Sequence, residues 1–150
     1  HDWFVTDTTT RKQVTDGWQA WTGQLALFPP PEVAAAFDDT LRDVAAIQER
    51  GGEVIFVRFP STNWFRETER QQFPRQKYWD RLLEVTGCRG IHFEDYPELS
   101  RFDCPEWSHL SQADAKAFTG SLYRILHPPT AEPPGTGSRH NPAQGNPADP

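Results

Sequence analysis

The chain has 150 residues, 36% of them hydrophobic and 24% charged, and a formal net charge of −6. That length accommodates one domain with a buried core, and no Lys/Arg cluster stands out against the acidic balance, so a nucleic-acid partner is excluded. No stretch approaches the roughly 18 consecutive apolar residues of a membrane-spanning helix, and the N-terminus lacks a signal-peptide pattern.

There is no methionine, and the sequence begins His1-Asp2-Trp3. Removal of an initiator methionine needs a small second residue, so the chain is expected to be a processed product or the C-terminal piece of a longer protein. Membrane association of that longer protein, and its compartment, stay open. Cys88 and Cys104 form no CxxC pair and cannot build a zinc site alone; one disulfide in an oxidising compartment and two free thiols are both open, with free thiols expected because a core of this size needs no staple.

In chain order, Val5-Thr6-Asp7 and Val14-Thr15-Asp16 echo each other, and the Thr-rich alternation predicts an extended hairpin. Trp3, Trp18 and Trp21 mark a packing surface. From Pro31, the spacing of Val33, Phe37, Leu41 and Val44 predicts an amphipathic helix that opens at Pro30-Pro31 and ends before Gly51-Gly52. The dense apolar run from Glu53 to Phe59 predicts a buried strand. Residues 61–72 are polar and read as a loop that has room for a helical turn. Pro74 opens a second helix with Tyr78, Leu82 and Val85 on one face and Gly87 at its end. A short strand is predicted near Gly90-Ile91-His92-Phe93, followed by an irregular stretch to Leu110. Ser111 and Asp114 form a capping-box pattern at the start of a last helix, whose face is Phe118, Leu122 and Ile125. From His127 onward the tail holds seven of the 14 prolines and predicts disorder.

Helix, strand, helix, strand, helix is the order of an α/β layer with a parallel sheet, in which ligands bind beyond the C-terminal strand ends. The segment Glu106-Trp107-Ser108-His109 lies on that side, between a strand and a helix. An imidazole used as a general base must be held in one tautomer by a carboxylate. An acid three residues before the histidine on a tight loop can fold back onto the ring. Asp103, six residues before, is a second candidate for that role. The plain alternative is a histidine making a local hydrogen bond near a helix N-terminus.

Phe59-Pro60 after the first strand, Phe73-Pro74-Arg75 with Tyr78-Trp79-Asp80, and above all Asp103 to Ser111 (DCPEWSHLS) before a final helix resemble the closing third of SGNH (GDSL-type) hydrolases. The resemblance covers residues 31–126. It implies a three-layer α/β/α, flavodoxin-like fold with a parallel sheet, lacking its N-terminal part, with residues 1–126 as the C-terminal portion of the domain. It further implies esterase or acyl-transfer chemistry on an O-acylated small molecule or carbohydrate, without a cofactor or metal. His109 takes the family's base position and Glu106 its acid position, although the family uses Asp there. The family's Gly-Asp-Ser nucleophile block, its oxyanion glycine and its Gly-x-Asn-Asp block have no counterpart. The serine is therefore expected from sequence upstream, and the isolated chain should have little esterase activity.

Other readings compete. Ser61 after the first strand or Cys104 near His109 would be internal nucleophiles, but the glycines of a nucleophile elbow are missing. His92 and Glu94 share one side of a strand and, with Asp95 and His109, would make a mixed N/O metal site. Trp64, Phe65 and Trp107 would suit a carbohydrate- or protein-binding face, whereas Trp79 on a helix is expected to pack inward.

Overall fold

The structure is a computed structural model and describes residues 5–22 and 29–128. Helix α1 spans Thr8–Thr22, where an extended hairpin was expected. The reason is a local cap. The Asp7 carboxylate accepts the backbone N–H groups of Thr9 and Thr10 at 3.0 and 3.1 Å and the Thr10 hydroxyl at 2.6 Å. These bonds satisfy orphan donors of the first turn, and a Lys12–Asp16 pair supports the next one. Capping outweighs the β preference of the threonines. The rest of that expectation, at residues 1–4 and 23–28, lies outside the described residues.

Helix α2 (Pro30–Gln48) follows the expected bounds, with prolines in its first turn and Gly51 at φ 79° just past its end. Strands β1 (Ile55–Arg58) and β2 (Arg89–His92) pair in parallel, in the register Ile55↔Arg89 to Arg58↔His92. Between them run α3 (Asn63–Gln72), a π-helical turn (Gln76–Asp80) and α4 (Arg81–Thr86). Gly87, at φ 63°, closes α4 in the left-handed region that glycine adopts without a Cβ clash. Helix α3 replaces the expected loop. Its polar sequence conceals ion pairs to distant residues: Arg66 and Arg70 both reach Glu94, and Glu69 pairs with Arg58.

Side-chain alternation along β2 aims residues at two different layers. Gly90 lets the α3–α4 side approach closely: a Cβ there would stand 2.5 Å from Leu83 and 2.9 Å from Trp79. Trp79 packs inward as expected, its ring edge-on to His92 at 5.3 Å. On the opposite face Ile91 joins Phe93, Leu99, Phe102 and Phe118 in the buried core. Helices thus lie against both faces of a sheet that, among the described residues, has two strands. With so few strands, β1 is only half-buried and Phe59 is 53% exposed, so the full burial expected of that run is not reached.

After β2 come a 3-10 turn (Phe93–Asp95), the short α5 (Pro97–Ser100), an irregular stretch and α6 (Gln112–Leu126). The N-cap half of the capping box forms: Asp114 N–H donates to the Ser111 hydroxyl at 3.1 Å, and that hydroxyl donates to the Asp114 carboxylate at 2.7 Å. Both cysteines are free. The expected disordered tail falls, from residue 129, outside the described residues.

Candidate active site

The loop before α6 is fixed to the loop after β1. Thr62 N–H donates to the Trp107 carbonyl at 2.9 Å, and the Thr62 hydroxyl donates to the Cys104 carbonyl at 3.2 Å. Trp107 itself sits at φ 78°, unusual for a residue with a bulky side chain. Such a conformation costs about 1–3 kcal/mol and persists only where its surroundings over-determine it. Here its N–H donates to the Cys104 carbonyl at 2.8 Å and its ring meets Trp64 at 6.0 Å. The left-handed residue turns the chain between Glu106 and His109, so that the carboxylate folds back onto the imidazole.

Glu106 Oε1 lies 2.8 Å from His109 Nδ1. The two partners differ sharply in environment: the glutamate side chain is 7% exposed and that of His109 76%. Two more donors hold the carboxylate. The Ser108 hydroxyl is 2.8 Å from Oε2, and Trp18 Nε1–H donates to Oε2 at 2.7 Å across 88 positions of sequence. Asp103, the other candidate acid, is exposed and makes no bond to His109.

These contacts specify a tautomer. Ser108 also lies 2.7 Å from His109 Nδ1, but its single proton is directed to the carboxylate, so it meets the ring as an acceptor. Nδ1 faces two acceptors and must carry the ring proton. The lone pair is left on Nε2, which has no hydrogen-bond partner among the described residues. His109 stands on the wall shared by two cavities, of about 490 and 280 Å3. The larger is walled by Val5, Val14 and Trp18 of the N-terminal segment, the smaller by Phe59 and Phe118. A partly apolar cavity beside an oriented imidazole with a free Nε2 can take a substrate and accept its proton.

Trp18 is the site residue that sequence reasoning missed. It was expected in a packing surface, and nothing in its own segment announces a partner 88 positions away. Its ring does pack, on Phe65 at 5.4 Å and Trp21 at 5.8 Å, while its N–H serves the carboxylate.

The remaining candidates are engaged elsewhere. Ser61 is buried and its hydroxyl donates to Glu69. Cys104 is fully buried, and desolvation, helped by the charges of Asp103 and Glu106, pushes its thiol up to about 12. That leaves no thiolate for nucleophilic attack. His92 Nδ1 accepts the Glu94 backbone N–H at 3.3 Å, the Glu94 carboxylate is held by Arg66 and Arg70, and Asp95 by Arg75. Among the described residues, no group of three or more His, Cys, Asp or Glu side chains is placed to hold a metal ion. Trp64 and Trp107 pack on each other and Phe65 on Trp18, half-buried rather than displayed as an open platform.

Compared with family models, with curated proteins and with solved structures, the chain finds no match in any of the three.

Proposed function

We propose that residues up to about 126 are the C-terminal portion of a three-layer SGNH-type hydrolase domain acting on carboxylic O-acyl esters. The single observation that carries this reading is the buried Glu106 carboxylate bonded to Nδ1 of an exposed His109 whose Nε2 is free beside a cavity. In this reaction a serine hydroxyl attacks the acyl carbon and passes its proton to His109 Nε2. Glu106 keeps the imidazole oriented and stabilises the imidazolium. The proton then goes to the leaving alkoxide, on a small molecule or a carbohydrate, and a second, water-driven cycle releases the acid. The serine and its oxyanion donors come from sequence outside these 150 residues; Ser61 and Ser108 both give their protons to carboxylates.

The test is a comparison of this chain with its His109→Ala variant on short acyl esters lacking an activated leaving group. The expected result is equal, near-background hydrolysis by both. Saturable, His109-dependent turnover by the chain alone would overturn the assignment of the nucleophile to outside sequence.

A further inference from the structure

A second cleft lies on the face of the sheet that carries His92, away from the His109 loop. Two cavities of about 410 and 400 Å3 share Phe37, Phe73, Tyr78 and Leu82 in their walls and so form one continuous cleft with unlike ends. At one end the wall carries Arg58, Arg66, Arg70, Arg75 and His92; at the other it is mostly apolar, with Val33 and Ala36 of α2 beside Glu32 and Thr40 at its edge. Both volumes fall within the roughly 300–1,000 Å3 typical of small-molecule sites.

The cationic end presents hydrogen-bond donors. Glu69 is the one carboxylate in its wall, whereas Glu67, Glu94, Asp80 and Asp95 pair with the arginines from outside it. A guanidinium has five N–H donors. Arg58 spends donors on the Phe59 carbonyl and Glu69, and Arg70 donates one N–H to Glu94, so both retain free N–H groups. His92 adds another. Its side chain is 4% exposed, and Nδ1 is committed as acceptor of the Glu94 backbone N–H, which places the ring proton on Nε2. Nε2–H has no partner among the described residues, and the ring forms part of the cleft wall. Because five carboxylates already balance the four guanidiniums, the end offers a ligand hydrogen-bond donors rather than net positive charge, which suits a single carboxylate better than a doubly charged group.

We propose that this cleft binds an acyl carboxylate of medium chain length, its head group on Arg58, Arg70 and His92 and its tail between Phe37, Phe73 and Leu82. This rests on the cleft alone and stands whether or not the ester-hydrolase reading does. The test is calorimetric titration of the full chain with decanoate below its micelle concentration, beside decanol, decyl phosphate and acetate. The expected result is saturable 1:1 binding of decanoate, tighter than that of the other three. Arg70→Gln, at an exposed position, should weaken decanoate by about tenfold, as befits one charge-assisted hydrogen bond. Ala36→Trp, also on the surface, should abolish it by filling the apolar end. Thermal melts establish that both variants are folded. Decanol binding as tightly as decanoate, a preference for decyl phosphate, no decanoate binding, or binding indifferent to both substitutions would each overturn the proposal.

Discussion

Replacing Trp18 by Phe isolates the bond between α1 and the Glu106 carboxylate. The phenyl ring keeps the apolar contacts with Phe65 and Trp21, so the change removes chiefly the indole N–H and its 2.7 Å bond to Oε2. A hydrogen bond to a charged group contributes about 1.5–3 kcal/mol. Glu106 is 5% exposed, so water does not readily replace the lost donor, but Ser108 and His109 continue to hold the carboxylate. A destabilisation of about 2 kcal/mol follows, in the lower half of that range. Since, among the described residues, no other side-chain hydrogen bond ties α1 to the 104–111 loop, the loss should appear first as local opening of α1. Urea unfolding followed by circular dichroism gives the global value, and amide exchange in residues 8–22 gives the local one. A loss below about 0.5 kcal/mol, within the scatter of ordinary surface substitutions, together with unchanged α1 protection, would mean that the indole N–H does not hold the carboxylate.

Burial, and then the charge of Arg75, lower the His92 imidazole from 6.5 to about 4, against opposing contributions from Glu94 and Asp95. The folded state therefore resists protonation that the unfolded chain accepts: stability is full above 6.5 and declines as pH falls towards 4, by about 3 kcal/mol over the whole window. Urea midpoints at about pH 7 and pH 4.5 check this, and His92→Gln should flatten the decline; an undiminished decline in that variant would assign it to other groups. Native protein should react with a thiol reagent at Cys88 alone, and buried Cys104, whose thiol is pushed up to about 12, only on unfolding. Two rapid equivalents from the native state would contradict the packing of the site loop.

What the sequence disclosed divides by the range of the forces involved. Proline starts, glycine ends and the Ser111 cap act within a few residues, and α2, α6 and the end of α4 at Gly87 were legible from them; the π-helical turn that separates Pro74 from α4 was not. The parallel pairing of β1 and β2 followed from element order. Helix α1 was not legible, because its threonines read as strand while Asp7 decided the matter through three hydrogen bonds. Helix α3 was missed because a polar helix draws its support from tertiary ion pairs, here with Glu94 and Arg58. At the site, the three-residue spacing of Glu106 and His109 was local and visible. The choice of Glu106 over Asp103 depended on the backbone at Trp107, and the third support, Trp18, depended on folding.

A carboxylate, held from behind, keeps the His109 ring proton on Nδ1 and the lone pair on Nε2. Long-range 15N–1H correlation spectra of the imidazole report this directly, and Glu106→Gln supplies the decisive contrast. Trp18 can only donate, so the amide oxygen must stay with it and the amide NH2 must face His109. A donor there forces the ring to accept at Nδ1, the wrong tautomer for a base working through Nε2. The expected spectra show the Nδ1–H tautomer in the unaltered chain and Nε2–H in Glu106→Gln. An Nε2–H ring in the unaltered chain, or the same tautomer in both, would contradict that placement of the proton.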